Sequence, residues 1–269
     1  MTPVIPSPRL WREELDSPAN AYVRRWMRHF PALRATAIEA WADDLSDATP
    51  PTLVLPLDED QRDLLLDEHW RRARGRPGTD AAGFDGLIDA LDALVIDAQA
   101  LSETGAAFVR TGARAPLDSP TFRAEGRQVD GGTEALEVLL ESERVFEDLC
   151  LAQECGHAPA VVVRPWLELP PWSELRAFVR GRRVVGLSQR APAARIPGLA
   201  ERKAELERRA LRRLGELAPS WPLDDLVVDL CEVEGALVVL DLHPLLPWTG
   251  AALFDWDADR FDRFEFRTL

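Results

Sequence analysis

Between residues 226 and 242 the chain carries two short apolar runs, LVVDLCE and ALVVLDL, around a Val-Glu-Gly segment. Two β-prone runs this close, with glycine between them, predict an antiparallel hairpin. With the turn centred near Gly235, facing residues have numbers summing to about 470. Asp229 and Asp241 meet that condition. Their neighbours are apolar: Leu226, Val227, Val228 and Leu230 on one strand, Leu237, Val238, Val239 and Leu240 on the other. Facing like charges repel, and two buried carboxylates need a shared proton or a cation between them. A divalent ion meets that need, and Mg2+ suits carboxylates combined with ligand phosphates. Period-two alternation puts His243 on the face of Asp241 as a third candidate ligand. The alternative arrangement leaves either Asp at a strand edge, in water or capping a turn.

The remaining pattern sets the fold class. Helical spacing is expected over residues 19–46, with Pro31 interrupting or restarting the helix, and again over 58–74, 84–104, 134–150 and 197–217. The last of these aligns Leu199, Leu206, Ala210 and Leu214 in one stripe. Short strands are expected at TLVLPL, at 106–111 and within APAVVVRPWLEL, and LRAFVR with RVVGLSQR predicts a hairpin at Gly181. Residues 75–83 (GRPGTDAAG) read as a loop, and the polar-aromatic tail FDWDADRFDRFEF is expected to cap the fold. Helices dominate the first part and antiparallel strands with helices the second, which argues for α+β.

Charge narrows the partners. The net charge is −14, yet residues 180–213 hold eleven basic and three acidic residues, an excess of +8 that leaves −22 elsewhere. So acidic a chain is a poor nucleic-acid binder. The local excess marks either a site for an anion or a solvated helix face. Lys203 is the only lysine, so any other phosphate contact must come from Arg or backbone N–H groups. No apolar run approaches a membrane span, and the N-terminal segment has no secretory h-region. Three cysteines, Cys150, Cys155 and Cys231, read as reduced thiols in a cytoplasmic protein.

Among other motifs, Cys150, Cys155 and His157 lack a fourth zinc ligand. Gly186-Leu187-Ser188-Gln189 fails as a nucleophile elbow because Arg190 stands where a glycine is needed. Arg164 and Arg176 sit in otherwise apolar or aromatic strands, where a guanidinium pairs with a carboxylate or faces an anion. Glu168 and Glu174 are nearby partners in sequence. Arg110 follows a short strand and precedes a Gly-containing loop, a place suited to phosphate.

Four blocks then carry a family resemblance: TLVLPLDEDQRDLLLDE, FVRTGARAPLDS, VVVRPWLELPPWSELRAFVRGRRVVGLSQR and VVDLCEVEGALVVLDLHPLLPWTGAALFDW. LLESERVFEDL is a weaker fifth. The third holds Arg-x-Trp-x-Glu, Glu-x-Arg-x-Phe-Val and Gly-x-Ser-Gln-Arg elements, and the fourth a Leu-Phe-x-Trp signature at residues 253–256. Over residues 50–257 the chain resembles the cell division cycle protein 123 family, divergent members of the ATP-grasp superfamily, as a compact bacterial-type member.

The resemblance implies an ATP-grasp fold with a first lobe in residues 1–158 and a second in 159–269, and ATP held between the lobes. It implies a phosphate contact for Arg110, with Asp118 in the same block among the nucleotide contacts. Arg164, Pro165, Trp166 and Leu167 would form the hinge beside adenine, and Glu168 would reach ribose. Arg176 would serve the phosphate or acceptor region as the catalytic candidate, and Asp229, Asp241 and His243 would hold Mg2+. Arg110 stands where the family has lysine, and His243 where it has asparagine. Imidazole suits transition metals better than magnesium, which leaves Mn2+ as the alternative ion.

Three functions follow from this resemblance. One is an ATP-dependent protein-binding or assembly factor of chaperone type, as eukaryotic members are for translation initiation factor 2, with a protein or peptide partner. The second is a ligase that activates a carboxylate as an acyl phosphate and joins it to an amine or peptide. The third is a nucleotide-binding remnant kept for structure.

Overall fold

The computed structural model describes residues 21–73, 75 and 83–269. Most of the loop expected at 75–83, and the first two residues of the helix expected from 19, lie outside the described residues. The chain forms two compact units, one of the described residues up to 31 with 51–167, the other of 32–50 with 168–269.

The first helix among the described residues, α1 (Ala21–Ala35), continues through Pro31 and stops well short of residue 46. The expected helical stretch finishes instead as two single 3-10 turns, Ile38–Ala40 and Ser46–Ala48.

The first unit is built on a three-stranded antiparallel sheet in the order β1 (Leu53–Pro56), β3 (Ala160–Pro165), β2 (Ala107–Thr111). β3 is buried along its whole length, as its apolar run requires of a central strand. Expected with the second lobe, β3 pairs with β1 and β2 and forms the middle of the first unit's sheet. Helices α2 (Glu59–Ala73) and α3 (Asp85–Ala100) cover the sheet with three later ones, α4 (Pro120–Ala124), α5 (Gly132–Glu141) and α6 (Glu143–Glu154). Their apolar stripes, including Leu65, Leu91, Val95, Leu139 and Leu149, share one core with Val109, Val161 and Val163.

Residues 134–150 were expected to form one helix, and Ser142 divides it. Its backbone is extended (ψ 115°), and its Oγ accepts from the Val145 N–H, capping α6. The same hydroxyl donates to Asp118 at 2.6 Å, which fixes the break. Gly132 marks a close crossing, because a Cβ there would lie 2.3 Å from the Ile88 carbonyl oxygen of α3.

The second unit is a five-stranded sheet. Its strands are β4 (Leu175–Arg180), β5 (Arg183–Gln189), β6 (Leu226–Val233), β7 (Ala236–Pro244) and β8 (Glu265–Arg267), in the order β7-β6-β4-β5-β8. All pairings are antiparallel except β5 with β8. Both expected hairpins are present. Each closes on two residues of positive φ, Gly181-Arg182 (53° and 62°) and Glu234-Gly235 (49° and 79°). Such loops match the right-handed twist of the flanking strands. Helix α7 (Leu199–Leu217) is buried along Leu199, Leu206, Ala210 and Leu214, the stripe read from the sequence. The fold is thus α+β, with antiparallel sheets flanked by helices, as expected.

The tail caps the second unit. Phe254, Trp256 and Phe261 gather on Phe178 of β4, with ring centroids 5.0, 5.5 and 5.2 Å away. Gly186 of β5 makes room for them, since a Cβ there would lie 2.9 Å from the Phe254 ring. The strand β8 gave no sequence signal: three residues are too few for an alternation pattern.

Gly186→Ala should overpack this cluster. We expect a loss of about 1–3 kcal/mol of stability, read from urea unfolding. An unchanged midpoint would mean that the rings do not bear on this strand.

Candidate functional site

The polar residues of the second unit lie in one row across its sheet. The turn at Glu234-Gly235 pairs Val233 with Ala236 and keeps that register to Leu230 opposite Val239. Continued unchanged, it would set Leu240 against Asp229. A bulge intervenes, and Asp229 faces Asp241 instead. Bulges re-aim side chains in this way. Leu237 and Val239 are buried before the bulge and Leu242 and Pro244 after it, so the extra residue keeps the apolar face inward and brings Asp241 and His243 to the polar face.

On its other side Asp229 faces Arg176 of β4, Arg176 faces Ser188 of β5, and Ser188 faces Arg267 of β8. Asp241, Asp229, Arg176, Ser188 and Arg267 thus occupy consecutive strands. Arg176 meets Asp229 fork to fork, Nε to Oδ1 and Nη2 to Oδ2, each at 2.7 Å. Its third nitrogen donates to the Gly250 carbonyl. The side chains are 4 % and 10 % exposed, so the pair is screened from water. Arg190, half-exposed, adds a contact from Nε to Asp229 Oδ2 at 3.1 Å. His243 Nε2 lies 3.2 Å from that oxygen and 3.7 Å from Asp241 Oδ2.

Burial by itself would raise the Asp229 carboxyl. Arg176, then His243, outweigh burial and hold it well below the usual carboxylate range. Burial likewise opposes the Arg176 charge, and Asp229 more than restores it.

The cation demanded by the facing carboxylates is therefore supplied, at Asp229, by arginine. The partners suggested for Arg176 by closeness in sequence, Glu168 and Glu174, are not the ones it forks with. Glu168 is exposed. Among the described residues, no three His, Cys, Asp or Glu side chains form a group able to hold a metal ion. Asp229, Asp241 and His243 converge, but both Asp229 oxygens are turned to Arg176. An ion there would need further oxygens from a ligand.

The basic stretch 180–213 is partly consumed by the fold. Arg182 bonds Asp224 and the carbonyls of residues 218, 219 and 221. Arg209 bonds Glu232 and the Gly235 carbonyl, and Arg213 the Leu237 carbonyl. Arg202 lies over the Trp172 ring and Lys203 over that of Phe266. Of the cations in the stretch, Arg190 bonds a carboxylate of the polar row.

In the first unit, Arg110 faces Val162, and Arg164, two residues along β3, shares its sheet face. Both are buried. Arg110 Nε donates to the Thr111 carbonyl at 2.9 Å, and Arg164 Nε to Thr52 Oγ1 at 3.0 Å. Pro165 ends β3 opposite Ala107. Trp166 donates its backbone N–H to Ala106 and tilts against Phe108 at 6.3 Å, and Leu167 is half-buried. Asp118 accepts from Ser142 Oγ and the Arg144 N–H, so its carboxylate anchors the start of α6.

The D123 family model matches residues 99–261, a stretch that contains every one of these candidate residues. The chain belongs to the D123 family. Cdc123 from Schizosaccharomyces pombe has the same fold, with a TM-score of 0.69 at 17 % identity over 88 % of this chain and 96 % of that one. Its C-terminally truncated form gives 0.66 at 19 % identity over 84 % and 90 %. The translation initiation factor eIF2 assembly protein of Xenopus laevis is 29 % identical over 99 residues, 36 % of this chain and 29 % of the relative. That of Xenopus tropicalis is 29 % identical over a stretch covering 36 % and 30 %. The match thus spans under a third of these curated relatives. The resemblance drawn from the four sequence blocks is borne out at the level of family.

Asp229→Asn should strand the Arg176 charge and lower stability by roughly 3–5 kcal/mol in urea unfolding. The folded carboxyl titrates below its unfolded value of about 3.9, so its contribution is complete above that pH and is lost as pH falls toward the depressed value. The gap between wild type and variant should therefore hold constant above about pH 5 and shrink below about pH 4. A gap unaffected by acid would contradict the pairing.

Proposed function

We propose that this chain is an ATP- and divalent-ion-dependent assembly factor, acting on a protein or peptide partner through an ATP-grasp type of nucleotide binding. The observation that carries the reading is the placement of Asp229 opposite Asp241, with Arg176 next in the row, inside the stretch matched by the D123 model. Two carboxylates beside a buried guanidinium suit a nucleotide triphosphate with its metal. The carboxylates take the ion and the arginine takes phosphate. The assembly role is supported by the similarity to the Xenopus translation initiation factor eIF2 assembly proteins.

In this reading Asp229 and Asp241 hold Mg2+ together with phosphate oxygens, and His243 stands beside them and admits Mn2+. Bound metal would neutralise phosphate charge. Arg110 and Arg164 offer cations to the nucleotide from a shared sheet face, and residues 165–168 supply its adenine and ribose contacts. Asp118 contributes by shaping the loop that Ser142 ties down. No helix among the described residues is long and apolar enough to cross a membrane.

Calorimetric titration with ATP, with and without Mg2+, tests this. We expect Mg2+-dependent binding that Asp241→Ala abolishes. Arg110→Ala should weaken ATP about ten-fold, the cost of one charged hydrogen bond, and AMP less. Absence of ATP binding would sink the reading. ADP appearing on addition of a carboxylate and an amine would replace the assembly role with ligase chemistry.

A further inference from the structure

Helix α2 enters the core of the first unit with Leu65 and Leu66, and one turn later Glu68 and His69 are buried as well. Glu68 accepts from Arg72 Nε at 2.9 Å, and the other two nitrogens of that guanidinium fork Glu137 of α5. His69 is placed differently. Its Nε2 is buried with no hydrogen-bond partner among the described residues. Its ring tilts against Phe146 of α6, 5.2 Å between centroids, and Trp70 meets the same phenyl edge-on at 4.8 Å. An imidazole in this position is favoured as the neutral form, because an imidazolium would give up its hydration and find no acceptor at Nε2.

We infer that His69 is an acid-sensitive joint, which holds α2 against α6 while its ring is neutral and releases α2 when the ring takes a proton. Three charged groups bear on it: Arg72 and Glu68 from α2, and Asp118 from the loop between β2 and α4. From α5, Glu137 is taken up by the Arg72 fork, and the contact from α6, Phe146, carries no charge. Burial first and then Arg72 oppose the imidazolium, and they outweigh the two carboxylates, so the packed ring is pushed down to about 4. A released histidine titrates near its ordinary value of about 6.5. The released form therefore binds the proton more readily. Packing is fully favoured above about pH 6.5 and weakens as pH falls from there toward about 4. Asp118 also accepts from Ser142 Oγ and the Arg144 N–H at the start of α6, so a positive charge at His69 acts on a carboxylate that fastens the second helix. The joint lies in the first unit and is independent of any nucleotide or ion.

Hydrogen–deuterium exchange on the full chain reads the joint. After correction for the intrinsic pH dependence of exchange, the amides of α2 should lose about twenty-fold in protection between pH 7 and pH 5, as the linkage of one such histidine requires. The sheet of the second unit should keep its protection over this interval, because Asp229 responds only below about pH 4. His69→Phe keeps an aromatic ring against Phe146 and removes the proton, and its α2 protection should be the same at both pH values. A second measurement needs no variant. In nitrogen-15 spectra of the four histidines, the His69 ring should still be neutral at pH 5.5. A His69 ring already charged at pH 5.5 while α2 stays protected would overturn the inference. So would α2 protection that does not change between pH 7 and pH 5 in wild type, or that falls as steeply in His69→Phe.

Discussion

A carboxylate buried between apolar strands is held in the second unit by a guanidinium on the neighbouring strand, and much of that unit is arranged around the pair. Asp229 and Arg176 face each other across β6 and β4, and their fork leaves one guanidinium nitrogen for the Gly250 carbonyl. Two further members of the row fasten the same C-terminal segment. Ser188 accepts the Leu253 N–H, and Arg267 donates to the Leu253 carbonyl while it pairs with Asp259. Pinned at these points, the segment lays Phe254 and Phe261 over Gly186. The polar row and the aromatic cluster are successive parts of one sheet face, and a charge buried in the row constrains where the rings can sit.

Local signals were the ones legible in the sequence. Both hairpins announced themselves through apolar runs broken at Gly181 and Gly235, and the α7 stripe through helical spacing. The opposition of Asp229 and Asp241 was also legible, for a reason only partly seen. A turn treated as centred on one residue gives the right pair, whereas the actual two-residue loop would miss it by one, and the bulge after Val239 restores it. Arg176 was picked out as a charge in an apolar strand, but its partner was not. β4 and β6 are neighbours only through the sheet order, and 53 residues separate Arg176 from Asp229. The break at Ser142 was hidden for a similar reason, since its hydroxyl is fixed by Asp118, 24 residues away.

The basic stretch gave a composition signal whose meaning only the structure resolves. An excess of positive charge between residues 180 and 213 reads as an anion site or a solvated face. Part of it is structural, since Arg209 and Arg213 tie α7 to the second hairpin and Arg182 ties the first hairpin to the loop before β6, while Arg183, Arg195, Arg208 and Arg212 are exposed, as a solvated face requires. Arg190 bonds a carboxylate of the polar row. A composition count weighs a structural arginine and a site arginine equally, so the anion-facing candidates narrow to Arg176 and Arg190 in this unit and to Arg110 and Arg164 in the other.

In the proposed function Asp229 and Asp241 together hold a divalent ion that accompanies a nucleotide. Crystals grown with Mn2+ and a non-hydrolysable ATP analogue, with data collected at the manganese absorption edge, test it most directly. We expect an anomalous peak bonded to carboxylate oxygens of both residues and to phosphate oxygens. A fully occupied analogue with no peak at this pair, or a peak elsewhere with the Arg176–Asp229 fork intact, would contradict it.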